Sequence, residues 1–109
     1  MNEKPLVWLH GEVRSPPLTS KARIEAGFLL RLLQRGEILG LPRSRPMPYI
    51  GPGCHELRID DISGAWRIVY KVAPEAIVIL EVFKKTSRST PRRVVETCQR
   101  RLRQFEGIL

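Results

Sequence analysis

Apolar and polar positions along this chain alternate with two periods, and the changes of period divide it into elements. Leu6-Val7-Trp8-Leu9 is a short apolar run that predicts a first strand. Pro16 and Pro17 then break the chain, and Thr19 or Ser20 can cap a helix start. From Lys21 to Arg35, Ala22, Ala26, Leu29, Leu30 and Leu33 recur at helical spacing. Ile24, Phe28 and Leu32 widen that stripe, which predicts a helix well covered by neighbours. Gly36 sits where its C-terminal stop belongs, and the pattern leaves room for a break into two helices.

Residues 40–53 hold four prolines and three glycines in fourteen residues, which excludes a regular helix or a central strand. An ordered surface loop is expected there. Three strands follow. Cys54–Ile59 sets Leu57 and Ile59 against Glu56 and Arg58 on the opposite face. Asp60–Gly64 reads as a turn. Ala65–Val72 sets Trp66, Ile68, Tyr70 and Val72 against Arg67, Val69 and Lys71. Ala76–Phe83 is almost wholly apolar, as in a strand covered on both faces. Short links make the three an antiparallel meander. Thr90 as cap and Pro91 at the first helical position open a last helix, with Val94, Val95, Cys98, Leu102 and Phe105 as its buried stripe. The expected fold is α+β, in the order β-α-β-β-β-α, with helices packed on a small mixed sheet.

Composition narrows the function. At 109 residues the chain is expected to form a single domain spanning 1–109. No apolar run reaches the ~20 residues of a membrane span, and the polar start does not read as a secretory signal. Cys54 and Cys98 are too few for a disulfide scaffold and suit free thiols in a cytoplasmic protein. The net charge is +8, divided evenly between residues 1–53 and 54–109, so a folded basic body rather than a basic tail is expected. Such a charge favours RNA, DNA or an acidic protein segment as partner. His10 and His55 fall in no metal-ligand pattern, and there is no phosphate-binding glycine loop, so neither metal nor cofactor is expected.

Basic residues inside strands carry the sharper signal. Arg58, Arg67 and the pair Lys84-Lys85 lie in or at the ends of the three strands. By parity Arg58 and Arg67 oppose the apolar rows of their strands, so they can share one exposed face with Lys85 at its edge. Arg43 and Arg45 in the Pro/Gly loop, with Arg88 and Arg92 before and at the last helix, are candidate RNA contacts, and Tyr49 is a candidate base contact. Trp66 and Tyr70 suit the core better.

Glu56-Leu57-Arg58, Gly64-Ala65-Trp66-Arg67-Ile68-Val69-Tyr70 and Val82-Phe83-Lys84-Lys85-Thr86 with Thr90-Pro91 together resemble the signature of phage-derived HigB-like proteins in the RelE/ParE toxin superfamily. The resemblance is specific from about Gly53 to Arg101. It implies a compact β-α-β-β-β-α toxin, neutralised by an antitoxin often of helix-turn-helix type, that cuts mRNA in the ribosomal A site. It matches Arg58 to a catalytic basic position, Arg67 to the phosphate-stabilising arginine, and Lys85, accompanied by Lys84, to the residue that protonates the leaving oxygen. The chain departs from RelE in having Glu56 where a second lysine stands and no tyrosine after Lys85. His55 is near Arg58 but on the other parity.

Metal-free RNA cleavage uses the 2′-hydroxyl as nucleophile and needs a proton acceptor, positive charge for the phosphorane and a donor for the 5′-oxygen. Arginine supplies charge but is a poor base. Lys84 or Glu56 is the candidate base, with His55 as a further possible base. The leading expectation is a ribosome-dependent endoribonuclease with antitoxin, ribosome and mRNA as partners and no membrane. The rivals are a ParE-like gyrase poison and a non-enzymatic nucleic-acid binder or inactive phage remnant.

Overall fold

A computed structural model describes residues 3–9 and 18–107. His10, Pro16 and Pro17 lie outside them. In chain order the elements are β1 (Leu6–Trp8), α1 (Ser20–Gln34), β2 (Ser44–Pro46), β3 (Cys54–Asp61), β4 (Gly64–Val72), β5 (Ile77–Lys85) and α2 (Arg92–Glu106). The strands form one mixed sheet ordered β1-β5-β4-β3-β2. β1 runs parallel to β5, and the remaining pairs are antiparallel. The α+β architecture is the one expected, with one addition: the Pro/Gly stretch contributes β2. Pro46 is tolerated because β2 is an edge strand, where a missing N–H breaks no interior ladder. No helix among the described residues is long and apolar enough to cross a membrane.

The sheet separates two cores. On one face, α1 buries Ala22, Ala26, Leu29, Leu30 and Leu33 against Leu57, Ile59, Trp66, Ile68, Tyr70, Ile77 and Ile79. On the other, α2 buries Val94, Cys98 and Leu102 against Cys54, Val69, Val78, Leu80 and Phe83. Each such Leu or Ile contributes roughly 1.5–3 kcal/mol relative to exposure. Alternation along the strands makes both cores possible, since successive residues of β5 serve opposite helices.

α1 is one unbroken helix capped by Thr19, whose Oγ1 accepts from the Ala22 N–H at 3.0 Å. The same hydroxyl donates to Asp61 Oδ2 at 2.6 Å, tying the helix start to the β3–β4 turn. Asp61 Oδ1 accepts from the Ser63 N–H, the Ser63 hydroxyl and the Gly64 N–H, which closes that turn. Gly36, with φ of 91°, takes the left-handed position just beyond the helix. The expected wide stripe is corrected: Ile24 and Phe28 are exposed and Leu32 is half-buried, because the sheet covers only one side of the helix. α2 differs from expectation at its start. Pro91 holds the cap position with no side-chain cap, and Thr90 is engaged elsewhere.

β5 carries a bulge. Val69 pairs with Glu81 and Tyr70 with Ile79, which leaves Leu80 without a partner. Val78 and Leu80 belong to the α2 side, and beyond the bulge Phe83 does too, whereas Val82 packs on the α1 side. Strict alternation from Leu80 would have put Val82 and Lys84 on the α2 face. The extra residue exchanges them for Phe83 and Lys85.

A candidate basic site on the sheet

The face covered by α2 is left open at the end of β3 and β4 nearest their shared turn. Glu56, Arg58 and Asp60 come to that face from β3, Ala65 and Arg67 from β4, and Lys85 from β5 by virtue of the bulge. Arg58 and Arg67 are direct partners across the β3–β4 register. Like charges placed opposite each other repel, and two carboxylates offset them. Asp60, 69% exposed at its side chain, accepts from Arg67 Nη1 at 2.9 Å. Glu56 is 0% exposed and lies beneath the cations.

Glu56 Oε1 lies 3.7 Å from Arg45 Nη2, 3.8 Å from Arg67 Nε and 3.9 Å from Lys85 Nζ. Its other oxygen accepts from the Thr90 hydroxyl at 2.8 Å. These cation contacts are electrostatic rather than hydrogen-bonded, since neither Glu56 Oε1 nor Arg67 Nε has a hydrogen-bond partner among the described residues. Arg67 is further fixed by Nη1 donating to the Trp66 carbonyl at 2.9 Å. A buried carboxylate without cations here would be costly, and so would buried cations without it.

Lys85 is well shielded on this face, its side chain 10% exposed. Burial holds its ammonium below the usual lysine pKa. Glu56 pulls the value back up, while Arg45, Arg67 and Arg58 push it down. Arg58, Arg67, Lys85, Thr86 and Arg88 line an open hollow of about 450 Å³. A second hollow, of about 550 Å³, adjoins it at Arg88 and includes Arg45, Tyr49 and Thr90.

The sequence-predicted residues divide accordingly. Arg58, Arg67 and Lys85 converge as expected, although Arg67 is buried rather than exposed. Arg45, Tyr49 and Arg88 line the adjoining hollow. Lys84 is not brought in. It lies on the α1 face, 5.9 Å over the Trp66 ring, with its stem against Gly64, where a Cβ would collide with it. His55 also faces away, stacked on Tyr70 at 5.3 Å with Nδ1 against the Gly53 carbonyl. Glu56 is on the right face but has no surface for a substrate. Arg43 is exposed and joins neither hollow through its side chain, its backbone carbonyl accepting from the Arg58 N–H at 2.8 Å. Arg92 is exposed on α2 and pairs with Glu96 at 3.1 Å.

Two contributors were missed. Thr90 holds Glu56 instead of capping α2. Asp60, read as turn, ends the period-2 series Glu56, Arg58, Asp60, and that spacing was the available signal.

A basic cluster on a two-helix, five-stranded mixed sheet is compatible with a RelE-like fold, and sequence comparison assigns the lineage. The family described as phage derived protein Gp49-like (DUF891) matches residues 17–103, and the chain belongs to it. That family is commonly a RelE/ParE-like toxin, which makes an antitoxin a plausible partner. No curated protein matches the chain.

Proposed function

We propose that this protein is a HigB-like toxin that cleaves messenger RNA on the ribosome without a metal ion. The observation that carries the reading is the junction of Arg58, Arg67 and a shielded, pKa-lowered Lys85 around one hollow. The 2′-oxygen attacks the adjacent phosphorus, the bond to the 5′-oxygen breaks, and a 2′,3′-cyclic phosphate and a 5′-hydroxyl result. Arg58 and Arg67 hold the phosphate oxygens as charge accumulates on them. Lys85 gives its proton to the departing 5′-oxygen, a transfer that a lowered pKa favours.

The proton acceptor in this reading is Asp60. It is the exposed carboxylate that shares the face with Arg58 and contacts Arg67. Glu56 then holds the cations in place and does not meet the RNA. The ribosome positions the message on a site this shallow, and a helix-turn-helix antitoxin covers it.

The test is growth after induced expression of the wild type and of the Arg67→Ala/Lys85→Ala double variant, with primer extension on a translated message. Arrest accompanied by new A-site cuts, both lost in the folded double variant, is the expected result. Arrest without cuts would redirect the reading to a gyrase-type target. No arrest from well-expressed, folded protein would leave a nucleic-acid binder.

A further inference from the structure

We propose that the second hollow, between β2 and the loop joining β5 to α2, is a subsite for an unpaired nucleotide next to the scissile phosphate. The proposal rests on the RNA-cleaving reading and adds to it where the neighbouring base goes. Arg45, Pro46, Tyr49, Arg88, Ser89 and Thr90 line this hollow. Arg88 also lines the hollow of Arg58, Arg67 and Lys85, so the two are continuous. A polyanionic strand crossing Arg88 with one phosphate on Arg58 and Arg67 therefore brings its adjoining nucleotide into the second hollow.

The chemistry of the lining suits a nucleotide. Tyr49 is 54% exposed, an aromatic face offered at the rim of a cationic hollow. The ring is held in place: its hydroxyl donates to Met47 Sδ at 3.3 Å, and its carbonyl accepts from Gln99 Nε2 at 2.9 Å. A base can stack on that ring whatever its identity, because every base has a π-face. Arg45 and Arg88 supply charge for the flanking phosphates.

A shared floor joins the hollows. Glu56 Oε1 contacts Arg45 of one and Arg67 and Lys85 of the other, while Oε2 holds Thr90. One buried carboxylate thus sets the spacing between the stacking hollow and the phosphate cluster. An acidic peptide is the rival occupant. It would use the cations but has no need of the ring.

The experiment measures binding of a fully 2′-O-methylated RNA pentanucleotide, which lacks the nucleophile and is bound without being cut. Its comparison probe is a glutamate-rich peptide of matched charge. Loss of one base stack in Tyr49→Ala weakens RNA binding by roughly 5- to 140-fold, and Tyr49→Phe, which keeps the ring, stays within about twofold. Peptide binding is indifferent to residue 49. RNA binding within about twofold of wild type in Tyr49→Ala, or no RNA binding by the wild type, overturns the subsite. Equal loss of peptide and RNA in Tyr49→Ala also overturns it, because the ring would then be supporting the hollow rather than stacking on a base. Because the probe cannot be cut, a failed cleavage assay beside Tyr49-dependent binding sinks the nuclease reading and leaves the hollow as a nucleotide site beside a phosphate that is bound but not cut.

Discussion

Glu56 approaches Arg45, Arg67 and Lys85 through a single buried oxygen, so its removal leaves two shielded cations, Arg67 and Lys85, without their buried counter-charge. Glu56→Ala is expected to cost roughly 3–5 kcal/mol, the usual penalty for breaking a buried ion pair, measured by urea unfolding. A loss below about 1 kcal/mol, the range of exposed pairs, would mean water screens the cluster. The same carboxylate raises the pKa of Lys85, so in Glu56→Gln the lysine titrates still lower. Amine-reactive labelling of Lys85, followed by mass spectrometry against pH, checks both points. In the wild type its midpoint falls below the ordinary lysine value of 10.5, and in Glu56→Gln it moves further down. The folded state releases this proton first, so the penalty is complete below the folded pKa and is relieved as pH rises towards 10.5. Asp60→Asn should fold normally and slow cleavage by about 100-fold, the low end for losing a general base. Undiminished cutting by that variant would return the proton acceptor to water or the ribosome.

At the scale of elements, the β5 bulge makes a prediction that residue identity alone does not. Lys84→Ala should retain cleavage and growth arrest, whereas Lys85→Ala should lose both. The reverse outcome would mean that strict alternation holds past Leu80. Sequence parity placed Arg58 and Arg67 correctly, because β3 and β4 alternate regularly where they face each other. It set Lys85 at the edge of that face but left Lys84 beside it as a second candidate. A run as apolar as Ile77–Leu80 hides its own phase, and a bulge within it leaves no trace in composition. The lower edge was hidden for a different reason. Prolines at 42, 46 and 48 argue against any strand, yet Ser44–Pro46 needs few ladder bonds to close the sheet and to set Arg45 opposite Glu56. The α1 cap was half legible: Thr19 was a named candidate, but its bond to Asp61 crosses 42 residues and has no local signature. Thr19→Ala should cost about 1 kcal/mol as a lost cap. Hydrogen bonds, first from Ser63 and then Thr19, hold the Asp61 carboxyl below its ordinary value. Its contribution is therefore present above pH 3.8 and lost as pH falls through the depressed value, so Asp61→Asn should flatten the acid limb of stability.

Across the whole molecule, the open basic face and the second core are two ends of one surface, with α2 covering only the far end. Cys54 and Cys98 lie in that core, and burial pushes their thiols up to about 11 and about 12. The buried thiols are protonated and inaccessible at neutral pH, so alkylation requires separation of α2 from the sheet. Both cysteines should therefore react with iodoacetamide far more slowly than in the urea-unfolded chain, and at similar rates to each other. Fast reaction of Cys98 alone would show α2 fraying locally. The net charge of +8 gives this opening a salt dependence. Self-repulsion among the cations favours expansion, and added salt screens it, so labelling should slow as potassium chloride rises. RNA binding to the same face should weaken over that range, by a log–log slope of about −0.7 per phosphate neutralised. The two trends have opposite consequences: salt tightens the fold while it loosens the ligand. A polyanion on the cationic face should do what salt does for labelling and protect the thiols, though it touches neither. Protection by RNA that survives high salt would require a docking force other than the cation cluster.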